Sequence, residues 1–249
     1  MAIPMNSAEV PSLSTAQMIE VDRLMIEEYR IELIQMMENA GRNLAQLARV
    51  RFLGGDPSDK KVMVMAGSGG NGGGALVCAR HLANWGADVW VALTRPTEAF
   101  SGVPAHQLDI LKRMGIPMAQ AEEISAIDTS GKVDLIVDGI IGYSLSGAPR
   151  GNAARLIRWA NEQRAPILAL DTPSGLDTTS GAAFDPAIRA AATLTLALPK
   201  RGLHAPEAES FTGELYLADI SVPPTLYADP SVGIMVGCLF AENDIIRLT

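Results

Sequence analysis

The stretch from Gly67 to Gly74, GSGGNGGG, holds six glycines in eight residues. With so few side chains, the backbone N–H groups are the working surface, and a row of N–H groups at the start of a helix suits a phosphate or another anion. Gly67, Gly69 and Gly72 satisfy the spacing of a dinucleotide fingerprint, with an apolar run before them and a helical pattern after. That fingerprint expects an acid at the end of the next strand to hold a ribose. The run VWVAL ends instead at Thr94 and Arg95, where Arg95 would suit only a 2′-phosphate. No Gly-Lys-Ser/Thr follows, which excludes a Walker-type loop. A third reading needs no ligand: the glycines let a helix pack tightly on a sheet. The histidines offer no nucleophile system. His81 sits among apolar neighbours in a helical pattern, His106 on an amphipathic helix and His204 in a loop. Cys78 and Cys238 are far apart and in no metal-ligand spacing, so both read as buried thiols.

The elements that must position this loop are legible from periodicity. Ser14 and Gln17 form a capping box for a helix running to about Tyr29. Leu33, Met36, Met37, Ala40, Leu44, Leu47 and Ala48 then fall on one face of a second helix. After LGGDPSD come the apolar runs KVMVMA, DVWVALT, VDLIVDGI, PILALD, ATLTLAL and ELYLADI. Between the earlier ones lie helical patterns from Gly73 to Trp85, in GVPAHQLDILKRMG and in NAARLIRWANEQ. Short apolar strands alternating with helices predict an α/β fold: a three-layer αβα, Rossmann-like, mostly parallel doubly wound sheet with the two N-terminal helices packed on it. One domain spans residues 1–249. In such sheets the loops at the carboxyl ends of the strands share a crevice. Here those loops read GSGGNGGG, DGIIGYSLSGAPRG, DTPSGLDTTSG and PKRGLHAP, each glycine-bearing with one or two polar side chains.

Composition narrows the partners. A chain of 249 residues with 48% hydrophobic and 19% charged residues has the makings of a sizeable core. A net charge of −8 argues against nucleic acid, whose phosphates need basic surface. The N-terminus has no leader pattern, and the apolar stretch IMVGCLFA is far too short to span a bilayer. The expectation is a cytoplasmic protein with no membrane partner.

Taken in order, LSTAQMIEVDRLMI, LIQMMENAGR, GSGGNGGGALVCARHLANWG, VDLIVDGIIGYSLSGAPRG, ILALDTPSGLDTTSG and ATLTLALPKRGL resemble the YjeF N-terminal domain family, the NAD(P)H-hydrate epimerases, over nearly the whole chain. The resemblance implies an isomerase that interconverts the R and S forms of NADH and NADPH hydrated on the reduced ring. It implies a potassium ion as cofactor, and the expectation is that the functional partner, a dehydratase, is on a separate chain and not fused to this one. It implies a homodimer too, an expectation to which the Met-rich opening helices add. Asn71, Asp138 and Ser174 match the family's potassium site, an amide, a carboxylate and a hydroxyl suited to a hard cation. Asp171 matches the substrate-binding aspartate and is the candidate acid–base group, since partial shielding at a strand end can raise a carboxylate toward neutrality. Gly70, Asn71, Gly72, Gly73 and Gly74, with Gly142, Tyr143, Ser144, Leu145, Ser146 and Gly147, match the dinucleotide-contacting loops.

Two departures stand out: the family loop reads Gly-Asn-Asn-Gly-Gly-Asp-Gly, and here Gly70 replaces the first asparagine and Gly74 the aspartate. They leave open a catalytically degenerate ligand-binding or scaffold module, or altered choice of substrate. Structural roles stay open as well: a turn-capping Asn71, Asp138 accepting loop N–H bonds, a turn Ser174, and Asp171 tying down TPSG. Lys200 and Arg201 could offset phosphate charge, but are read as surface residues outside the site.

Overall fold

The computed structural model describes residues 3–6, 9–126 and 133–248. Its centre is an eight-stranded sheet formed by β1 (Lys61–Ala66), β2 (Asp88–Leu93), β3 (Met118–Gln120), β4 (Leu135–Gly139), β5 (Ile167–Leu170), β6 (Ala192–Leu196), β7 (Glu214–Ala218) and β8 (Ile245–Arg247). The spatial order is β3-β2-β1-β4-β5-β6-β7-β8. All neighbours are parallel except β8, which pairs antiparallel with β7. The six apolar runs of the sequence are six of these strands. β3 and β8, three residues each, are too short to carry a periodic signal.

Chain direction across the sheet reverses between β1 and β4. That switch point opens a crevice at the strands' carboxyl ends.

Among the described residues, five α-helices of 12 residues or more accompany the sheet: α1 (Thr15–Glu27), α2 (Leu33–Arg51), α3 (Gly70–Asn84), α4 (Gly102–Arg113) and α5 (Gly151–Glu162). Alternation along β1 sorts the core. Val62, Val64 and Ala66 join Leu44, Leu47 and Leu76 from α2 and α3, whereas Met63 and Met65 join Leu156 and Ile157 of α5.

α1 begins at the expected capping box, with the Gln17 N–H donating to Ser14 Oγ and the Ser14 N–H to Gln17 Oε1. Rather than lying flat in a layer, α1 sits at the rim. Met18, Val21, Leu24 and Met25 pack with Ala197, Leu198 and Ile220, which follow β6 and β7. Just before it, Leu13 exchanges backbone hydrogen bonds with Pro199 and Arg201. The methionines of the two opening helices (Met18, Met25, Met36 and Met37) are buried within this chain, so they lend no support to a dimer. Cys78 is buried as expected, but Cys238 is exposed. It lies in an irregular C-terminal stretch whose neighbour Met235 is 84% exposed.

Helix α3 starts at Gly70, three residues before the periodic pattern suggested, so most of the glycine run is helical. Its glycines differ in what they do. A Cβ on Gly72 would lie 1.8 Å from the Gly67 carbonyl oxygen, and one on Gly74 would lie 2.8 Å from Leu170 Cδ2. A Cβ on Gly69 or Gly70 would meet nothing within 4 Å. Gly72→Ala is therefore expected to lose about 1–3 kcal/mol of stability or more by overpacking. Gly70→Ala should stay within about 0.5 kcal/mol. Urea denaturation of both variants checks the contrast.

Candidate active site

β5 ends in a sharp reversal. Asp171 has φ 65°, its N–H donates to the Leu194 carbonyl at 2.7 Å, and the Thr172 N–H donates to the Leu170 carbonyl at 2.8 Å. Left-handed backbone is uncommon outside glycine, and Asp and Asn tolerate it better than most residues. The neighbouring strand β6 ends similarly, with Ala197 at φ 62°. Three residues later the Lys200 side chain returns to the same place. Its Nζ donates to the Leu196 carbonyl at 3.0 Å and forms an ion pair with the Asp171 carboxylate. The two side chains are 0% and 5% exposed. A charge pair this deep is stable only if both members stay, because removing one leaves the other buried without a partner.

Lys200 Nζ also lies 5.8 Å from the centroid of the Tyr143 ring. The Tyr143 hydroxyl, on the loop after β4, donates to Asp22 on α1. Burial pushes the Asp22 carboxyl above its ordinary value, against the opposing Tyr143 hydrogen bond and Lys200 charge. Burial and the Asp22 charge push the Tyr143 phenol well up, so it remains a donor. These four groups line one cavity of about 390 Å³. Gly69, Gly70, Asn71 and Gly74 from the start of α3, Gly142 and Ser144 from the β4 loop, and apolar side chains including Met18, Met37 and Leu170 complete it.

Beside the cavity, Asp138 near the end of β4 is fully buried. One carboxylate oxygen accepts from the Ile140 N–H at 3.1 Å and from Ser174 Oγ at 2.7 Å, and the other accepts from the Ser174 N–H at 2.8 Å. Ser174 Oγ in turn accepts from the Ile141 N–H at 2.8 Å. Asp138 and Ser174 thus join the loops after β4 and β5. Every donor to this carboxylate is neutral, and burial raises its pKa from the usual 3.8 to about 6.

A family model described as YjeF-related protein N-terminus matches residues 33–202. The chain belongs to this family. It is 42% identical over 231 residues to a Dehalogenimonas lykanthroporepellens protein named NAD(P)H-hydrate epimerase, covering 91% of this chain and 90% of the relative. It is 37% identical to the bifunctional NAD(P)H-hydrate repair enzyme Nnr of Moorella thermoacetica, covering 87% of this chain but only 41% of that longer protein. Among solved structures, yeast YNL200c superposes with a TM-score of 0.78 at 27% identity, over 96% of this chain and all of that one.

Of the residues that the YjeF resemblance pointed to, Gly70, Asn71, Gly74, Gly142, Tyr143, Ser144 and Asp171 line the cavity. Gly72 and Gly73 are buried in the packing of α3, and Leu145, Ser146 and Gly147 continue the β4 loop away from the lining. Asp138 and Ser174 bond to each other rather than face the cavity, as in their structural reading. Asn71 borders the same loop, since a Cβ on Gly142 would lie 3.3 Å from its side chain. Lys200 is the correction: read as a surface residue, it is fully buried and paired, because the chain after β6 turns back over the strand ends. Arg201 is exposed. The sequence does carry a signal for Asp22, an acid one turn from Met18 on a helix face that otherwise buries Val21 and Met25.

The Asp138 shift fixes a sign. Its folded-state pKa lies above the unfolded one, so the folded state holds the proton more tightly. That contribution is present in full below about pH 4 and is lost as pH rises to about 6. The loss amounts to about 3 kcal/mol at 1.36 kcal/mol per pKa unit. Urea titrations between pH 4 and 7 should show the stability of Asp138→Asn gaining on that of the parent by this order across the window. Parallel curves would contradict it.

Proposed function

We propose that this protein interconverts the R and S epimers of NADH and NADPH hydrated on the reduced nicotinamide ring. The observation that carries the reading is the Asp171–Lys200 pair, an acid–base couple enclosed in a cavity that also contains a bare helix N-terminus. The first intrahelical bond of α3 runs from Gly73 to Gly69, so the N–H groups of Gly70 and Asn71, which line the cavity, are available to a diphosphate. Asp171 lines the same cavity, where it would exchange a proton with the hydroxyl on the hydrated carbon. Relatives named NAD(P)H-hydrate epimerase align along nine tenths of this chain, which supports the same activity. The acid–base pair stands in the cavity lining beside the glycine-bearing start of α3, which counts against the degenerate module.

The donor set beside the cavity fits potassium. Asp138 is a buried carboxylate with no cationic partner, and Asn71 Nδ2 is buried without a hydrogen bond. Turning the Asn71 amide over would present its oxygen at that position instead. Bound among Asn71, Asp138 and Ser174, a monovalent cation would supply the missing positive charge and brace the start of α3 against the β4 loop. This reading also includes a dehydratase acting on one epimer, and a location in the cytoplasm with the reduced cofactors. It includes a homodimer, for which the exposed Ile19, Ile26, Tyr29, Leu33 and Ile34 on and between the two opening helices supply an apolar face.

Two measurements test this. Purified protein incubated with one epimer of hydrated NADH should generate the other, followed by chromatography, and Asp171→Ala should reduce kcat/KM by about 100-fold or more. An unchanged rate in that variant would eliminate Asp171. Potassium chloride should raise Tm more than choline chloride at pH 7, and the difference should shrink at pH 4.5, where Asp138 is protonated. Equal shifts with the two salts would dismiss the cation.

A further inference from the structure

Resting on the epimerase reading, the chemistry of the substrate poses a choice of route. An enamine takes a proton on its outer carbon, so water adds to the carbon bonded to nitrogen. The hydrated carbon therefore bears both a hydroxyl and the ring nitrogen. Its configuration can invert by loss of water and return from the other face, or by opening of the C–N bond to an aldehyde and reclosure. The first route needs proton-handling groups on both faces of the ring, and the second can be run from one side.

Among the described residues that line the cavity, the titratable ones are Asp22, Tyr143, Asp171 and Lys200, and they form one connected cluster. The rest of the lining is glycine, aliphatic and thioether side chains, with Asn71 and Ser144, none of which exchanges a proton near neutral pH. Within the cluster, Asp171 and Lys200 stand at or just beyond two adjacent strand ends, each with a residue in left-handed backbone (Asp171 and Ala197). Strain of this kind persists where the surroundings over-determine it, and it gathers at working sites. Two of the three Lys200 protons go to Asp171 and to the Leu196 carbonyl, which leaves one for a ligand.

The geometry assigns to Asp171 and Lys200 a joint role, as one acid–base pair that opens and recloses the hydrated ring from a single side. Asp171 takes the hydroxyl proton. The oxygen electrons form the carbonyl, the C–N bond breaks, and its electron pair stays on nitrogen, which receives a proton from the Lys200 ammonium. The aldehyde then turns about the single bond to the neighbouring saturated carbon and presents its other face. On reclosure nitrogen attacks that face, Lys200 recovers its proton, and Asp171 returns one to the oxygen. Both residues end as they began, and the substrate oxygen is never lost to water.

The test is epimerisation of one purified epimer of hydrated NADH by the intact chain in oxygen-18 water, with the product weighed by mass spectrometry at early conversion. The expected product carries no more label than a protein-free control. One labelled oxygen in every product molecule, with activity intact, overturns the ring-opening route while leaving the epimerase reading in place. Absence of any epimerisation removes that reading and this inference with it. Lys200→Ala should lose about 100-fold in kcat with KM little changed, and ethylamine should restore part of the rate. A folded variant with full activity, or one that amines do not rescue, overturns the role of Lys200. If that variant does not fold, the isotope experiment decides.

Discussion

The buried pairing of Lys200 with Asp171 is the constraint on which the rim of this sheet depends. A charge taken out of water must find its opposite close by, and here the two come from the ends of neighbouring strands. The pairing holds the chain after β6 where it turns back over the strand ends. The same turn carries Pro199 and Arg201 to the backbone of Leu13, which anchors α1 over the cavity. Ligand chemistry and the docking of the N-terminal helix thus share one interaction.

The two buried strand-end carboxylates show how environment separates roles. Asp171 faces a lysine and an open cavity, while Asp138 faces only neutral donors inside the protein. The first is equipped to exchange protons with a ligand. The second cross-links two loops and leaves a local deficit of positive charge. Pairs of like groups in unlike surroundings are a common way for one site to hold two functions.

The glycine run divides in a similar way. Gly72 and Gly74 are small because neighbouring atoms leave no room, which is the packing role. Gly69 and Gly70 border open cavity, so their bareness leaves backbone N–H groups accessible. A phosphate loop and a packing device are therefore successive parts of one segment. The family asparagine replaced by Gly70 would have had space, whereas a side chain at 74 would press on Leu170.

Local patterning alone determined most of the architecture. Apolar runs of strand length, helical periodicity and the Ser14–Gln17 box each act over a few residues, so they were legible without knowledge of distant partners. The convergence of the loops followed from one rule about parallel sheets, and it located Asn71, Tyr143 and Asp171 at the cavity. The tertiary structure alone decided the partners. The acids nearest Lys200 in the chain, Glu207 and Glu209, are not its partners, and the carboxylate that pairs with it stands 29 residues earlier. Asp22 meets Tyr143 across 121 positions, and Asp138 is closed off by Ser174 36 positions away. Burial and pairing are properties of what the fold brings together, and one-dimensional spacing does not carry them.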